Sequence, residues 1–121
     1  ERFDIVVFHA PEGKDYIKRV IGLPGDTIEY KDDTLYVNGE SFEEPYLDEY
    51  KKQIFDGPLT ESFTLEMISG QKTVPEGHVF VMGDNRRESK DSRHIGFVAI
   101  DEMVGKTSFV YWPIEKMRNV D

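Results

Sequence analysis

The chain has 121 residues, which at about 150 residues per domain implies one domain built on one core. Lys and Arg number 15 against 24 Asp and Glu, a formal net charge of −9, and this argues against the broad basic face that nucleic acid or an anionic membrane surface demands. The absence of cysteine excludes disulfides, thiolate metal sites and thiol nucleophiles, while 38% hydrophobic and 12% aromatic residues are too many for a disordered acidic chain.

No apolar run approaches the length of about 20 residues that crosses a bilayer; Ile5-Val6-Val7-Phe8 and Phe97-Val98-Ala99-Ile100 are the longest. The opening Glu1-Arg2-Phe3-Asp4 has no initiator and no basic stretch ahead of an apolar one. The chain is therefore expected to be a piece of something longer, and not an unprocessed secretory precursor.

Short β-rich segments between turn signals fill the sequence, and no stretch sustains a 3.6-residue period, so a mostly β fold is expected. Strands are predicted from Asp4 to Phe8 and from Asp15 to Gly22. Leu23-Pro24-Gly25-Asp26 then reads as a type II turn, with Pro24 pre-setting its own φ and Gly25 accepting the positive φ that follows. Thr27 to Lys31 and Thr34 to Val37 read as strands joined across Asp32-Asp33, and Asn38-Gly39 signals a type I′ hairpin into Glu40-Ser41-Phe42. Between residues 43 and 76 the pattern weakens, with one short helix expected from Tyr46 to Ile54 and a strand from Ser62 to Ile68. This stretch is expected to be an insertion or small subdomain between two halves of a β core, 1–42 and 77–121. His78 to Met82 is a further strand, Asp101 to Val104 one helical turn, and Gly105 to Tyr111 the last strand. No internal repeat is present, which sets a solenoid aside.

Lys18 lies inside an apolar strand. On a period-two ribbon Tyr16, Lys18 and Val20 share one face while Ile17, Arg19 and Ile21 share the other, so each face carries one cation. One explanation is an edge strand whose cations discourage aggregation. The other is a lysine general base, since an ammonium moved into a dry site loses hydration and its pKa falls from about 10.4. A second constellation is Gly83-Asp84-Asn85-Arg86-Arg87-Glu88-Ser89-Lys90-Asp91-Ser92-Arg93, polar or charged throughout except for Gly83. A solvated loop would have this composition. Yet its alternating signs allow carboxylates and guanidiniums to be held together, with hydroxyls at Ser89 and Ser92 among them, and polar loops on rigid strands are where sites occur.

Asp4-Ile5-Val6-Val7-Phe8, the run from Tyr16 to Asp26, and Gly83-Asp84-Asn85-Arg86 with Ser89, Asp91-Ser92-Arg93 and Gly96 closely resemble bacterial type I signal peptidases, particularly those of Gram-positive bacteria. Asn38-Gly39, Glu44-Pro45-Tyr46-Leu47, Gly105-Lys106 and Trp112-Pro113 also fit, and the likeness is weakest between Lys51 and Val74. The resemblance implies a fold of coiled antiparallel β-sheets and an endopeptidase that removes signal peptides from exported preproteins. It implies that Lys18 is the general base of a Ser/Lys dyad and that Ser89 orients its amine. Asp84, Asp91, Arg93 and Arg19 would brace the region. Tyr16 and Ile17 would line the groove for an Ala-x-Ala-like cleavage site, in which alternate residues of an extended peptide fill two shallow pockets.

One departure stands out. The family's nucleophile lies in a Ser-Met-x-Pro type motif behind a membrane anchor, and no Ser-x-x-Pro occurs among Ser41, Ser62, Ser69, Ser89, Ser92 and Ser108. This chain alone is therefore expected to be inactive, and its intact form to face outward from the cytoplasmic membrane. A bare groove wall would also be open to strand pairing with a second chain. No cofactor is implied. His9, His78 and His94 look isolated, without a carboxylate at metal-ligand spacing, and Asp32-Asp33 and Glu43-Glu44 read as turn and surface carboxylates. Two alternatives share parts of this pattern: a self-cleaving Ser/Lys repressor-type protease, and a non-catalytic peptide-binding β module.

Overall fold

The computed structural model describes residues 2–9, 15–54 and 56–102. Two four-stranded antiparallel sheets carry the architecture. The first has the order β1 (Ile5–His9), β2 (Asp15–Gly22), β7 (His78–Met82), β8 (Val98–Ala99). The second runs β5 (Glu40–Phe42), β4 (Thr34–Val37), β3 (Ile28–Lys31), β6 (Phe63–Thr64).

Turn chemistry sets the second sheet. Asp32 and Asp33 both take positive φ between β3 and β4, and Asn38 and Gly39 do the same between β4 and β5, as the mirror-image hairpin turns require. Gly25, at φ 88, completes the expected turn closed by the Asp26 amide on the Leu23 carbonyl. Ile28, Tyr30, Leu35 and Val37 then point inward, and pack with Phe63 of β6 against Ile21, Phe80 and Met82 of the first sheet. A second cluster of Val6, Phe8, Val20, Val79, Val81 and Val98 occupies the other face of the first sheet. The first sheet thus carries an apolar cluster on each face, and Lys18 and Arg19 of β2 are buried beside them.

Several expectations change. β2 is registered to β1 across Asp15–Arg19 and to β7 across Arg19–Gly22, so it is an interior strand and not an edge. Ser62 to Ile68 is not one strand. Only Phe63–Thr64 pairs with β3, and the chain turns into helix α2 (Leu65–Ser69), whose first turn is capped by the Thr64 hydroxyl accepting from the Met67 amide. The single helix expected from Tyr46 to Ile54 divides into a 3-10 turn, Pro45–Leu47, and helix α1 (Asp48–Lys52). Helix α3 (Ser92–Ile95) and strand β8 were not anticipated. Ile100–Glu102 forms a 3-10 turn, and the expected strand from Gly105 to Tyr111 lies outside the described residues.

Candidate active site

The site is assembled where β2 and β7 lie side by side. Arg19 is registered opposite Met82, so the loop that leaves β7 at Gly83 starts beside the two cations of β2. Lys18 and Arg19 part to opposite faces. Lys18, only 2% exposed, is registered against the fully buried Val6. Its Nζ lies 5.0 Å from the centre of the Tyr16 ring and donates to Ser89 Oγ at 3.2 Å. Arg19 grips Asp84 through two hydrogen bonds, Nε to Oδ1 at 3.0 Å and Nη2 to Oδ2 at 2.8 Å, and donates a third to the Phe3 carbonyl. Such a forked, charge-assisted pair fixes the direction as well as the distance of the loop's first carboxylate.

Ser89 in turn donates to Asp91 Oδ2 at 2.8 Å. The same carboxylate accepts from the Gly83 amide and from the Nε, Nη2 and backbone amide of Arg93. Burial alone would raise the Asp91 pKa; the hydrogen bonds and charge of Arg93, with the Gly83 amide and the Ser89 hydroxyl, outweigh it and hold the carboxyl below its ordinary value. An ionised Asp91 is an acceptor only, so the Ser89 proton is committed to it and the Ser89 lone pairs face Lys18. Ser92 Oγ accepts from the Val81 amide, stitching the far end of the loop back onto β7. The structure therefore brings the predicted residues together in two groups, the chain Lys18, Ser89, Asp91, Arg93 and the pair Arg19, Asp84, all buried except the half-buried Arg93. Tyr16 and Ile17 stand beside it on β2, both half-buried.

The family model described as signal peptidase, peptidase S26, matches residues 1–112. The chain belongs to the signal peptidase S26 family. A signal peptidase I of Bacillus caldolyticus is 59% identical over 115 residues, covering 95% of this chain and 63% of that protein. A signal peptidase IB of Staphylococcus aureus (strain Mu50) is 44% identical over 123 residues, covering 98% and 64%. The crystal structure of a signal peptidase I from Enterococcus faecalis V583 superposes with a TM-score of 0.83 at 49% identity, covering 87% of this chain and 93% of that one. The chain spans just under two thirds of the length of the two sequence relatives. The match selects the signal peptidase over the repressor-type protease kept as an alternative, and the mostly β antiparallel fold is the one expected.

In this signal peptidase family member two sequence expectations about charged groups are corrected. Glu44 is not a surface carboxylate: it is buried and paired with Arg86 at 3.0 Å, because Tyr30, Tyr46 and Arg86 converge on one of its oxygens. His94 is not isolated either. It follows Asp91 by three residues, lies 3.9 Å from its carboxylate, and accepts from the Asp91 amide in a capping box that starts α3. The Asp91-to-His94 spacing was the available signal for that helix. No group of three or more metal-ligating side chains occurs among the described residues. Among them, too, no helix is long and apolar enough to cross a membrane.

Proposed function

We propose that this chain is the base-carrying, extracytoplasmic portion of a type I signal peptidase, a Ser/Lys endopeptidase that cuts exported preproteins after Ala-x-Ala-like sites. Lys18 is the general base, Ser89 orients it, and the nucleophilic serine is supplied by a segment outside these residues. The observation that carries this reading is the buried Lys18 Nζ set 3.2 Å from Ser89 Oγ.

The hydrogen-bond directions give the arrangement a chemical sense. A neutral amine has two N–H groups and one lone pair. Since the Ser89 proton goes to Asp91, Ser89 accepts an N–H from Lys18 and does not itself engage the lone pair with which the amine would take a proton. Ser89 itself is poorly placed to be the nucleophile, being buried and bonded to a carboxylate whose basicity is lowered by Arg93. The carboxylates of the loop are paired with guanidiniums, Asp84 with Arg19 and Asp91 with Arg93, and that pairing offsets the negative charge that would otherwise favour the ammonium form of Lys18. In the reaction the serine oxygen would bond to the scissile carbonyl carbon while Lys18 takes its proton, and that proton would then pass to the leaving amine as the peptide bond breaks. Tyr16 and Ile17, adjoining Lys18 on β2, would line the groove of an extended substrate. An N-terminal anchor, likewise outside these residues, would hold the intact protein at the outer face of the cytoplasmic membrane.

The test is cleavage of a signal-peptide substrate by the chain joined to an upstream serine-bearing segment. The isolated chain should show no cleavage, the joined form should cleave, and Lys18→Ala should lower the rate by about 10²–10⁴-fold. Cleavage that survives Lys18→Ala undiminished would remove the role given to that residue.

A further inference from the structure

The loop that carries Ser89 rests on a buried cluster that takes no part in the chemistry just described. Glu44 follows β5, far from the loop in sequence, and its Oε2 accepts from three donors: the Tyr30 hydroxyl at 2.6 Å, the Tyr46 hydroxyl at 2.7 Å and Arg86 Nη2 at 3.0 Å. Arg86 spends its other donors on the Gly83 carbonyl at 2.7 Å, the Tyr30 oxygen at 2.6 Å and Thr60 Oγ1 at 3.3 Å. Its own carbonyl accepts from Arg93 at 2.9 Å, and Arg93 is the clamp on Asp91. At the loop's other end the Tyr46 ring lies 4.0 Å from the Arg19 guanidinium that grips Asp84.

Both ends of the loop are therefore tied to one carboxylate. The Glu44 and Arg86 side chains are 2% and 0% exposed. A fully buried pair is an inefficient source of stability, because two apolar side chains of similar volume often do as well or better; what such a pair adds is register. Burial, with a contribution from the Glu44 charge, pushes the phenol ionisations of Tyr30 and Tyr46 upward against the opposing charge of Arg86, so both hydroxyls keep the protons they donate. The path from Glu44 to the base runs Glu44, Arg86, Arg93, Asp91, Ser89, Lys18, with a hydrogen bond or ion pair at each step.

We propose that Glu44 is a positioning residue, which acts through Arg86 and Arg93 to hold Ser89 at the distance and angle where it orients Lys18. The inference rests on the reading of Lys18 as the base.

The experiment is a double-mutant cycle in the full-length enzyme, pairing Glu44→Gln with Ser89→Ala and following kcat and KM on a signal-peptide substrate. Each single variant is expected to lose about 10–100-fold in kcat with KM little changed, the scale of a small misplacement transmitted to a reacting group. The double variant should be no slower than the worse single one, because Glu44 has nothing left to position once the Ser89 hydroxyl is gone. Fully additive losses overturn the proposal and leave Glu44 a general stabiliser of the fold. A kcat unchanged by Glu44→Gln while Lys18→Ala abolishes cleavage overturns this inference alone; full activity in Lys18→Ala overturns the reading beneath it as well. Since Glu44→Gln leaves the Arg86 charge buried and uncompensated, Tyr46→Phe, which removes one hydroxyl and no charge, is taken through the same cycle. A kcat loss that vanishes in the Ser89→Ala background supports the proposal, and no loss at all overturns it.

Discussion

In the second sheet the inward positions are apolar apart from the Tyr30 hydroxyl, which reaches the Glu44 and Arg86 pair, whereas at the loop end of the first sheet Lys18, Arg19, Asp84, Ser89 and Asp91 are all buried. Both regions are densely packed, but different forces hold them. Around Leu35 the stabilisation comes from apolar area removed from water, at roughly 25 cal/mol per Å². Around Lys18 and Arg19 each buried polar atom is held against a desolvation cost by a specific partner, and the region is only as stable as the weakest of those pairings. A fold of this size does not need such a region for stability. Its presence is what the role proposed for Lys18 requires.

The contrast is open to measurement in chemical denaturation. The largest effect is expected for Arg19→Met, which leaves the Asp84 carboxylate buried without its forked partner and should cost about 3–5 kcal/mol, while the paired replacement Arg19→Met with Asp84→Leu should recover much of that loss. A double variant as unstable as the single one would mean that the ion pair is not what Asp84 requires. Next comes Leu35→Ala in the second sheet. Leu35 is 0% exposed, and its truncation should cost about 2–5 kcal/mol with no recovery available from a second polar change. A loss below about 1 kcal/mol would show that the apolar region can collapse onto the gap, and that the two regions differ less than their composition suggests.

The smallest effect separates them by pH. The folded Asp91 carboxyl lies below its ordinary value of 3.8, so the unfolded chain takes up that proton first as the pH falls. The stabilisation is then complete above the ordinary value and is lost as pH falls through the folded one. Asp91→Asn should therefore flatten the acid side of the stability profile below about pH 4, and Leu35→Ala should lower the whole profile without changing its slope. Parallel acid limbs for wild type and Asp91→Asn would contradict the depressed carboxyl.

Much of this was readable before any coordinates. The Asn38-Gly39 and Pro24-Gly25 turns appear where residue chemistry puts them, since a positive φ is a local demand that few side chains meet. The strands Asp15–Gly22, Thr34–Val37 and His78–Met82 have the predicted bounds, because branched and aromatic residues between turn signals leave few other readings. The errors have a common cause. Ser62 to Ile68 looks like a strand by composition, and only the Thr64 cap, with Gly70 at the far end in a left-handed conformation, converts its second half into a helix. Glu44 sits beside an equally acidic Glu43, and nothing local says that one of them is buried; three donors from distant segments decide it.

By itself the sequence determined the strand-and-turn order, the family, and the short set of residues from which a site could be made, because these follow from local φ preferences, alternation and motif spacing. Only the tertiary structure decided that β2 is interior, that Lys18 and Ser89 stand 3.2 Å apart, and that Glu44 lies beneath the loop joining them. The reason is physical: whether a charge is dry, and what it is bonded to, depends on atoms contributed by segments up to 71 residues away along the chain.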